Sequence, residues 1–243
     1  MKTAFPAIVL LCFFLLPSGM QAQAFEERPM PGYIGDRYFF AGPAFAQEPG
    51  SIRYTNLMLL HNQIAYGVNP HLQLVGSFTL FSVLPRFFRE QRYSNPLSVG
   101  VQLSAPGLPD WVHLSFSPEI TALTGSDFSV TDYRESWFLT LSGKLTVGSQ
   151  NHHVTLGLTR FFGDEFVDYS VRESFILIAG SSRLARNVHL IAETRFDTTA
   201  GSDDITLLGF RYFIRGPFSF TNGLAWAEPS QELMPFFGLH LKF

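Results

Sequence analysis

The sequence predicts an all-β protein, a closed antiparallel transmembrane β-barrel of about twelve strands, with about ten as the alternative. Three observations support this fold class. Segments in which apolar and polar residues alternate recur at intervals of about twenty residues. Charged residues make up only 15% of the chain and aromatic residues another 15%, against roughly 25% charged residues in a typical soluble domain. The connections between the segments also alternate between a short and a long class.

Each predicted strand follows from a period-two pattern, because successive side chains of an extended chain point to opposite faces. The seventh shows it well: Val154, Leu156 and Leu158 alternate with Thr155 and Thr159. The predicted strands are Arg37–Phe45, Arg53–Gly67, His71–Ser82, Pro96–Ser104, Trp111–Thr121, Ser136–Val147, His152–Phe162, Ser174–Ser182, Val188–Asp197, Ile205–Ile214, Phe218–Ala227 and Met234–Phe243.

The connections predict which end of each strand faces which compartment. Short ones, rich in Gly, Pro, Asn and Ser, are Val68–Pro70, Ala105–Asp110, Gly148–Asn151, Arg183–Asn187 and Arg215–Pro217. The others, mostly longer and more polar, are Val83–Asn95, Gly125–Glu135, Gly163–Glu173, Thr198–Asp204 and Glu228–Glu232. Short periplasmic turns and longer extracellular loops are typical of transmembrane barrels.

The first residues predict export. Lys2 precedes an apolar run, Ala7–Leu16, and Ala22 and Ala24 fit a small-x-small cleavage site. We therefore expect a signal peptide over residues 1–24, a short periplasmic segment over 25–36 and a single barrel domain over 37–243. The one cysteine, Cys12, would leave with the signal peptide, which excludes a disulfide scaffold and a thiolate metal site.

The last predicted strand carries a family resemblance. One of its faces is apolar and consists of Pro235, Phe237, Leu239, Leu241 and Phe243. In this strand the sequence resembles outer-membrane β-barrel proteins of Gram-negative bacteria, whose closing strand commonly ends in Phe. The resemblance implies an outer-membrane location, and it implies that Phe243 is a signal read by the barrel-assembly machinery.

A second resemblance lies in Tyr66–Leu74, which reads Tyr-Gly-Val-Asn-Pro-His-Leu-Gln-Leu. It is similar to the tyrosine-glycine-turn-strand motif of small, uncharacterised barrel families of Bacteroidota. The sequence departs from that motif at Pro70-His71, where those families more often carry acidic or amide residues. The resemblance implies a location more than an activity.

The composition of the two strand faces predicts that the barrel lies in a membrane. The polar face consists mainly of Ser, Thr, Gly and Gln, whereas the surface of a soluble barrel would carry Lys, Glu and Asp. The other face consists of Leu, Val and Phe, with Trp137, Tyr212 and Trp226 near strand ends, as in the aromatic girdles of membrane barrels. The alternative is a soluble barrel or sandwich with its apolar face inside.

Charged residues on the polar face predict a lumen site. They are Lys144, Glu193, Arg195 and Arg211, with His240 and Lys242 on the last strand. Pairing the strands around the loop at 198–204 would place Glu193 diagonally from Arg211, within reach of an ion pair. These charges form either a selectivity constriction or a structural polar network that plugs the lumen.

An enzymatic alternative rests on the fifth predicted strand. His113 and Ser115 share its polar face, with Asp110 and Glu119 near its ends, and some outer-membrane lipid hydrolases and acyltransferases use Ser and His on strands. No common catalytic or nucleotide-binding motif is present, and we expect no enzymatic activity, cofactor or metal. His152 and His153 are adjacent, so on a strand they point to opposite faces and cannot chelate one ion.

The predicted partners are lipids. Arg86, Arg89 and Arg92 lie in a loop expected at the outer leaflet, where guanidinium groups suit lipopolysaccharide phosphates. The net charge of −3 gives no reason to expect nucleic acid. The sequence thus predicts a porin-like outer-membrane barrel with a structural or narrow-pore role. The alternatives are an enzyme that modifies lipid or lipopolysaccharide, and a passive diffusion channel.

Overall fold

Twelve β-strands in the described residues pair into a closed barrel. The computed structural model describes residues 38–39, 41–79, 94–125, 136–163, 174–198, 204–215, 217–228 and 232–243. Within these ranges, no helix is long and apolar enough to cross a membrane. The strands are β1 (Ile52–Leu57), β2 (His61–Asn69), β3 (Leu72–Thr79), β4 (Ser94–Ser104), β5 (Val112–Gly125), β6 (Ser136–Gly148), β7 (His152–Gly163), β8 (Ser174–Ala185), β9 (Val188–Asp197), β10 (Asp204–Arg215), β11 (Phe218–Glu228) and β12 (Glu232–Lys242).

Every strand pairs antiparallel with the strands that precede and follow it, and β12 pairs with β1 to close the sheet. At this seam Tyr54 lies opposite Leu241, and the Ile52 and Phe243 backbones exchange two hydrogen bonds of 2.8 Å. The predicted closed antiparallel barrel of about twelve strands is confirmed. We call the end that joins β2 to β3, β4 to β5, β6 to β7 and β8 to β9 the turn end. The opposite end, where Met58–Leu60 join β1 to β2, is the loop end.

Strand β7 shows how the two faces are used. Leu156 is 50% exposed and Leu158 is 55% exposed on the outside, whereas Thr155 is 0% exposed and Thr159 7% exposed on the inside. Leu, Val, Ile and aromatic side chains are exposed along the outward faces of the other strands as well. An apolar surface of this extent is stable against hydrocarbon rather than against water, and a closed sheet leaves no unpaired backbone edge facing it.

The prediction of a first strand at Arg37–Phe45 is wrong for the described residues of that range. Tyr38, Phe39 and residues 41–47 are not part of any strand and lie inside the barrel. The physical reason is the seam: since β1 and β12 pair with each other, the sheet has no free edge where an added strand could find backbone partners. We call residues 38, 39 and 41–47 the lumen segment.

The predicted strand Arg53–Gly67 is instead two strands, β1 and β2. A tight turn separates them, with positive φ angles of 52° at Met58 and 62° at Leu59, a conformation that usually takes Gly or Asn. The Asn56 and Asn62 side chains hold it: Asn56 Nδ2 donates to Asn62 Oδ1 at 2.8 Å, and Asn56 Oδ1 accepts from the Leu59 N–H at 3.1 Å. The sequence Met-Leu-Leu carries no common turn signal, so the pattern predicted one long strand.

Candidate functional site in the barrel lumen

The lumen has a polar wall on β3 to β7. Hydroxyl groups on adjacent strands pair across it, as Ser98 Oγ does with Thr121 Oγ1 at 2.8 Å and Ser142 Oγ with Thr159 Oγ1 at 2.8 Å. Buried polar side chains of this wall are Gln73, Ser77, Thr79, Ser98, Gln102, Ser115, Thr121, Thr146, Thr155 and Thr159. Most buried polar groups in proteins are hydrogen-bonded, and these pairs show how hydroxyl groups of this wall satisfy one another.

The opposite wall, on β8 to β12, is apolar over part of its surface, alongside buried charged groups such as Glu193 and Arg211. Its side chains form a cluster that contains Leu177, Ala179, Ile191, Leu207, Ala225 and Phe236. Tyr38 and Phe39 of the lumen segment belong to the same cluster, and the Phe39 ring meets the Phe236 ring edge to face at 5.1 Å. The lumen segment therefore covers an apolar wall that would otherwise face an open lumen.

The lumen segment reaches across to the polar wall. Tyr38 Oη is hydrogen-bonded to Thr155 Oγ1 on β7, and the Ala44 N–H donates to Thr146 Oγ1 on β6 at 2.7 Å. Gln102 Nε2 on β4 donates to the Phe45 carbonyl oxygen at 3.1 Å. In the ring of strands β4 lies directly across from β10 and β6 directly across from β12, so the segment is fixed to both sides of the lumen.

One peptide unit of the lumen segment is bound from two sides. Arg211 Nη2 on β10 donates to the Tyr38 carbonyl oxygen at 2.8 Å. Glu193 Oε2 on β9 accepts from the Phe39 N–H at 3.0 Å and from the Ala41 N–H at 3.1 Å. Because C=O and N–H of a trans peptide point in opposite directions, an acid and a base on either side satisfy both groups.

The predicted diagonal pairing of Glu193 with Arg211 is wrong in register. Glu193 lies opposite Leu207, and Arg211 lies opposite His189, so four residues of β10 separate the predicted partners. Glu193 forms a salt bridge with Arg195 Nε at 2.9 Å. Glu193 and Arg211 both bind the Tyr38–Phe39 peptide. The alternation pattern of the strands could not predict this contact, because the peptide belongs to a segment outside the sheet.

The remaining predicted lumen charges lie on inward-facing positions of the wall. Lys144 shares the lumen face of β6 with Thr146, and the side chain of Arg195 is 28% exposed. At the turn end, Lys242 Nζ binds Glu48 Oε2 at 2.9 Å, which ties the chain just after the lumen segment to β12.

A polar network around Arg211 was only partly predicted. Arg211 Nε donates to Thr221 Oγ1 at 2.9 Å, and His240 Nε2 lies 2.9 Å from the same hydroxyl. His240 Nδ1 lies 3.3 Å from Thr55 Oγ1 on β1. The network spans β10, β11, β12 and β1. The sequence showed that these residues lie on the polar faces of their strands. It did not show the register between the strands, which decides which of these side chains are neighbours.

The serine–histidine alternative finds little support in the geometry. In the described residues, His113 Nε2 lies 2.9 Å from the Asp110 backbone oxygen, and the Phe45 ring packs edge to face on His113 at 4.5 Å. Ser115 Oγ is buried without a hydrogen-bond partner in that part of the chain. A nucleophile needs a base within hydrogen-bond reach, and no such bond joins these two side chains there.

Histidines line the turn end of the lumen for a packing reason. The Phe45 ring lies 5.0 Å from the His153 ring, and Tyr38 lies 5.4 Å from the same ring. Among the residues that the structure describes, no group of three or more His, Cys, Asp or Glu side chains is placed to hold a metal ion.

The two remaining predicted sites are the arginine-rich loop and the terminal phenylalanine. Arg86, Arg89 and Arg92 are outside the described residues. Phe243 pairs with Ile52 at the seam, and its side chain is 69% exposed. Its role in assembly stays a prediction.

Comparison with known proteins shows the fold class. No protein-family model and no curated protein matches the chain, so the resemblance to Bacteroidota families is not shown. Among solved structures it is similar to a KdgM porin in complex with disordered oligogalacturonate, with a TM-score of 0.50 and 12% identity over 79% of this chain and 98% of that chain. A second KdgM porin structure matches with a TM-score of 0.50 and 11% identity over the same shares.

The outer membrane protein Omp33 of Acinetobacter baumannii also matches, with a TM-score of 0.41 and 10% identity over 79% of this chain and 95% of that chain. At these identities the KdgM similarity is one of fold. The chain therefore has the fold of a porin-like, outer-membrane-type β-barrel.

Proposed function

We propose that the protein is an integral outer-membrane β-barrel of a Gram-negative bacterium that acts as a restricted, non-enzymatic channel. Its lumen is narrowed by its own lumen segment. The signal-peptide pattern, the exposed apolar outer face and the porin-like fold support this location. The turn end then faces the periplasm and the loop end faces outward.

A single observation supports the proposal of a restricted pore: the lumen segment is hydrogen-bonded to both walls of the lumen. Glu193 and Arg211 hold the Tyr38–Phe39 peptide on one side, and Thr146 binds the Ala44 N–H on the other. A twelve-strand lumen is narrow even when empty, between side-chain-filled eight-strand barrels and open sixteen-strand porins. With this segment in place, only ions and small polar solutes would pass along the polar wall.

The proposed partners are the lipids of the outer membrane, lipopolysaccharide included, and the barrel-assembly machinery during biogenesis. The exposed Leu, Val and Phe of the strands support the first, and the Phe243 terminus of the closing strand supports the second. A relation to Bacteroidota barrels rests on the motif Tyr66–Leu74, which spans the turn from β2 to β3.

Single-channel conductance in a planar bilayer tests the proposal. Wild-type protein is expected to show small conductance steps, far below those of an open sixteen-strand porin. The double variant Tyr38→Ala with Phe39→Ala removes the two rings that fill the lumen, so its conductance should rise severalfold.

The matched control is Phe210→Ala, which removes a ring from the outward face of β10 and should leave the conductance unchanged. A double variant that conducts like wild type would refute the role of the lumen segment. So would a wild-type conductance already as large as that of an open porin.

A further inference from the structure

A row of aromatic side chains lines the lumen above the lumen segment. Phe138 on β6, Phe161 on β7 and Phe175 on β8 face inward at the loop end, and all three are half-buried. The Phe138 and Phe161 ring centroids are 5.7 Å apart, and those of Phe161 and Phe175 are 5.9 Å apart. Apolar rings on the polar side of a transmembrane barrel are unusual, because that side is normally lined by polar groups.

A cation lies at one end of this row. The Arg195 guanidinium carbon is 5.3 Å from the Phe175 ring centroid, and its side chain is 28% exposed. The Arg195 Nε binds Glu193, whose carboxylate also accepts the N–H groups of Phe39 and Ala41. Both carboxylate oxygens of Glu193 thus accept donors of the protein, and part of the Arg195 side chain is exposed.

A second cation lies below the row. The Lys144 stem runs along the wall beside Gly157, where a Cβ atom would meet Lys144 Cγ at 3.5 Å and the Leu177 side chain at 3.2 Å. Leu177 lies opposite Arg195 in the sheet. Since Lys144 lies opposite Gly157 and Gly157 lies opposite Leu177, the two cations stand in one row across β6 to β9.

From this arrangement we propose that Phe138, Phe161, Phe175 and Arg195 form an entry site for solutes that carry a carboxylate on a flat apolar ring. The rings stack on the flat body of the solute, and a guanidinium held against an aromatic face pairs with a carboxylate in a fixed geometry. The inference rests on the proposed channel function for its purpose, but the binding itself needs no open pore.

The three rings lie on the loop-end side of the lumen segment. The rings lie within two residues of the described loop-end limits of β6, β7 and β8. The segment meets the polar wall near the turn end, at Thr146 and Thr155. A solute that enters from the loop end therefore reaches the rings before it meets the segment.

Titration of benzoate into the folded full-length barrel in detergent, followed by saturation-transfer NMR, tests the inference, with benzamide as the uncharged probe of the same shape. Phe161→Ala should weaken benzoate binding about fivefold. Arg195→Gln should weaken it about tenfold, and benzamide should bind wild type about as weakly as benzoate binds Arg195→Gln.

The chain offers matched controls, since Phe162→Ala and Arg160→Gln remove the same kinds of side chain from outward positions of β7. Both should bind benzoate like wild type. If Arg195→Gln does not fold, as judged by heat-dependent gel mobility, Arg195→Lys replaces it and should weaken benzoate binding less than tenfold but measurably.

Benzoate that does not bind, that binds equally to Phe161→Ala and Phe162→Ala, or that is matched by benzamide would overturn the inference. These results are separate from the conductance measurements. A channel with the expected conductance that binds no benzoate would contradict the entry site and leave the proposed function standing. If benzoate binds as expected but the Tyr38→Ala, Phe39→Ala double variant conducts like wild type, the entry site stands and the proposed role of the lumen segment fails.

Discussion

At the scale of single residues, the buried charges of the lumen bind backbone groups of the lumen segment. Arg211 binds the Tyr38 carbonyl oxygen and Glu193 binds the next N–H along the chain. A buried charge is costly unless hydrogen bonds satisfy it, and an unpaired buried peptide group carries a smaller penalty of its own. Each partner therefore removes the desolvation cost of the other, and the lumen segment is fixed without forming a strand.

Glu193→Ala should be strongly destabilising. It leaves the N–H groups of Phe39 and Ala41 and the guanidinium of Arg195 without the carboxylate they share. We expect the free energy of unfolding to fall by about 3–5 kcal/mol, as for the loss of one partner from a buried pair. Urea unfolding in detergent micelles measures it.

The control for this substitution is Glu119→Ala, on the lumen face of β5 opposite Thr140. Its side chain is half-buried, and we expect a loss well below that of Glu193→Ala. Equal losses at both positions would mean that the bonds to the lumen segment contribute little.

At the scale of elements, each strand divides its residues between lipid and lumen. In β7 the exposed Leu156 and Leu158 alternate with the buried Thr155 and Thr159. The period of two is a local property of extended backbone, so neighbouring residues of a strand always lie on opposite faces. The elements therefore place apolar side chains outside with no contribution from the lumen segment.

Leu158→Arg tests this placement. Leu158 is 55% exposed and lies in the middle of β7, so in lipid vesicles an arginine there faces hydrocarbon. We expect a cost of about 2–4 kcal/mol in the free energy of unfolding, as measured for arginine near the midplane of barrels.

Leu108→Arg serves as its control. Leu108 is 39% exposed but lies in the connection between β4 and β5 at the turn end, where water solvates a charge. It should unfold within about 0.5 kcal/mol of wild type, as surface substitutions usually do. If the two arginine variants are equally stable, Leu158 and Leu108 face the same solvent, and the placement of Leu158 against hydrocarbon is wrong.

At the scale of the whole molecule, the seam decides both closure and the lumen. Pairing of β1 with β12 uses the backbone groups of Arg53 to Leu57 on one strand and of Gly238 to Lys242 on the other. A closed sheet has no edge left to bind the chain that precedes β1. That chain must lie inside or outside the barrel, and its aromatic side chains bury against the apolar wall inside.

Phe243→Ala addresses the predicted assembly signal. Since Phe243 contributes to the seam through its backbone, the substitution should hardly change the urea midpoint of protein refolded in detergent. If Phe243 is the predicted assembly signal, the amount of heat-modifiable barrel recovered from outer membranes should fall severalfold, because the signal is the aromatic side chain.

Phe237→Ala removes another outward ring of β12, which is 40% exposed, and should assemble at nearly the wild-type level. A Phe243→Ala protein that reaches the membrane as well as Phe237→Ala does would contradict the role of Phe243 in assembly.

The sequence by itself determined the class of fold and the two faces of most strands. Leu97 to Ser104 and Val154 to Thr159 carry their pattern within a few residues, and the alternation fixes which side chains share a face. It also identified Glu193, Arg195, Arg211 and Lys144 as lumen residues. Both results depend on local periodicity, which needs no knowledge of partners.

Only the tertiary structure decided where the lumen segment lies and what the lumen charges bind. Residues 38–45 read as a strand, but whether a segment joins a sheet depends on a free edge, and the seam between β1 and β12 removes it. Likewise Glu193 and Arg211 are offset by four residues in the sheet, where the predicted diagonal pair is offset by two. Their common partner, the Tyr38–Phe39 peptide, lies more than 150 residues before them in the chain, and no local pattern records a contact over that distance.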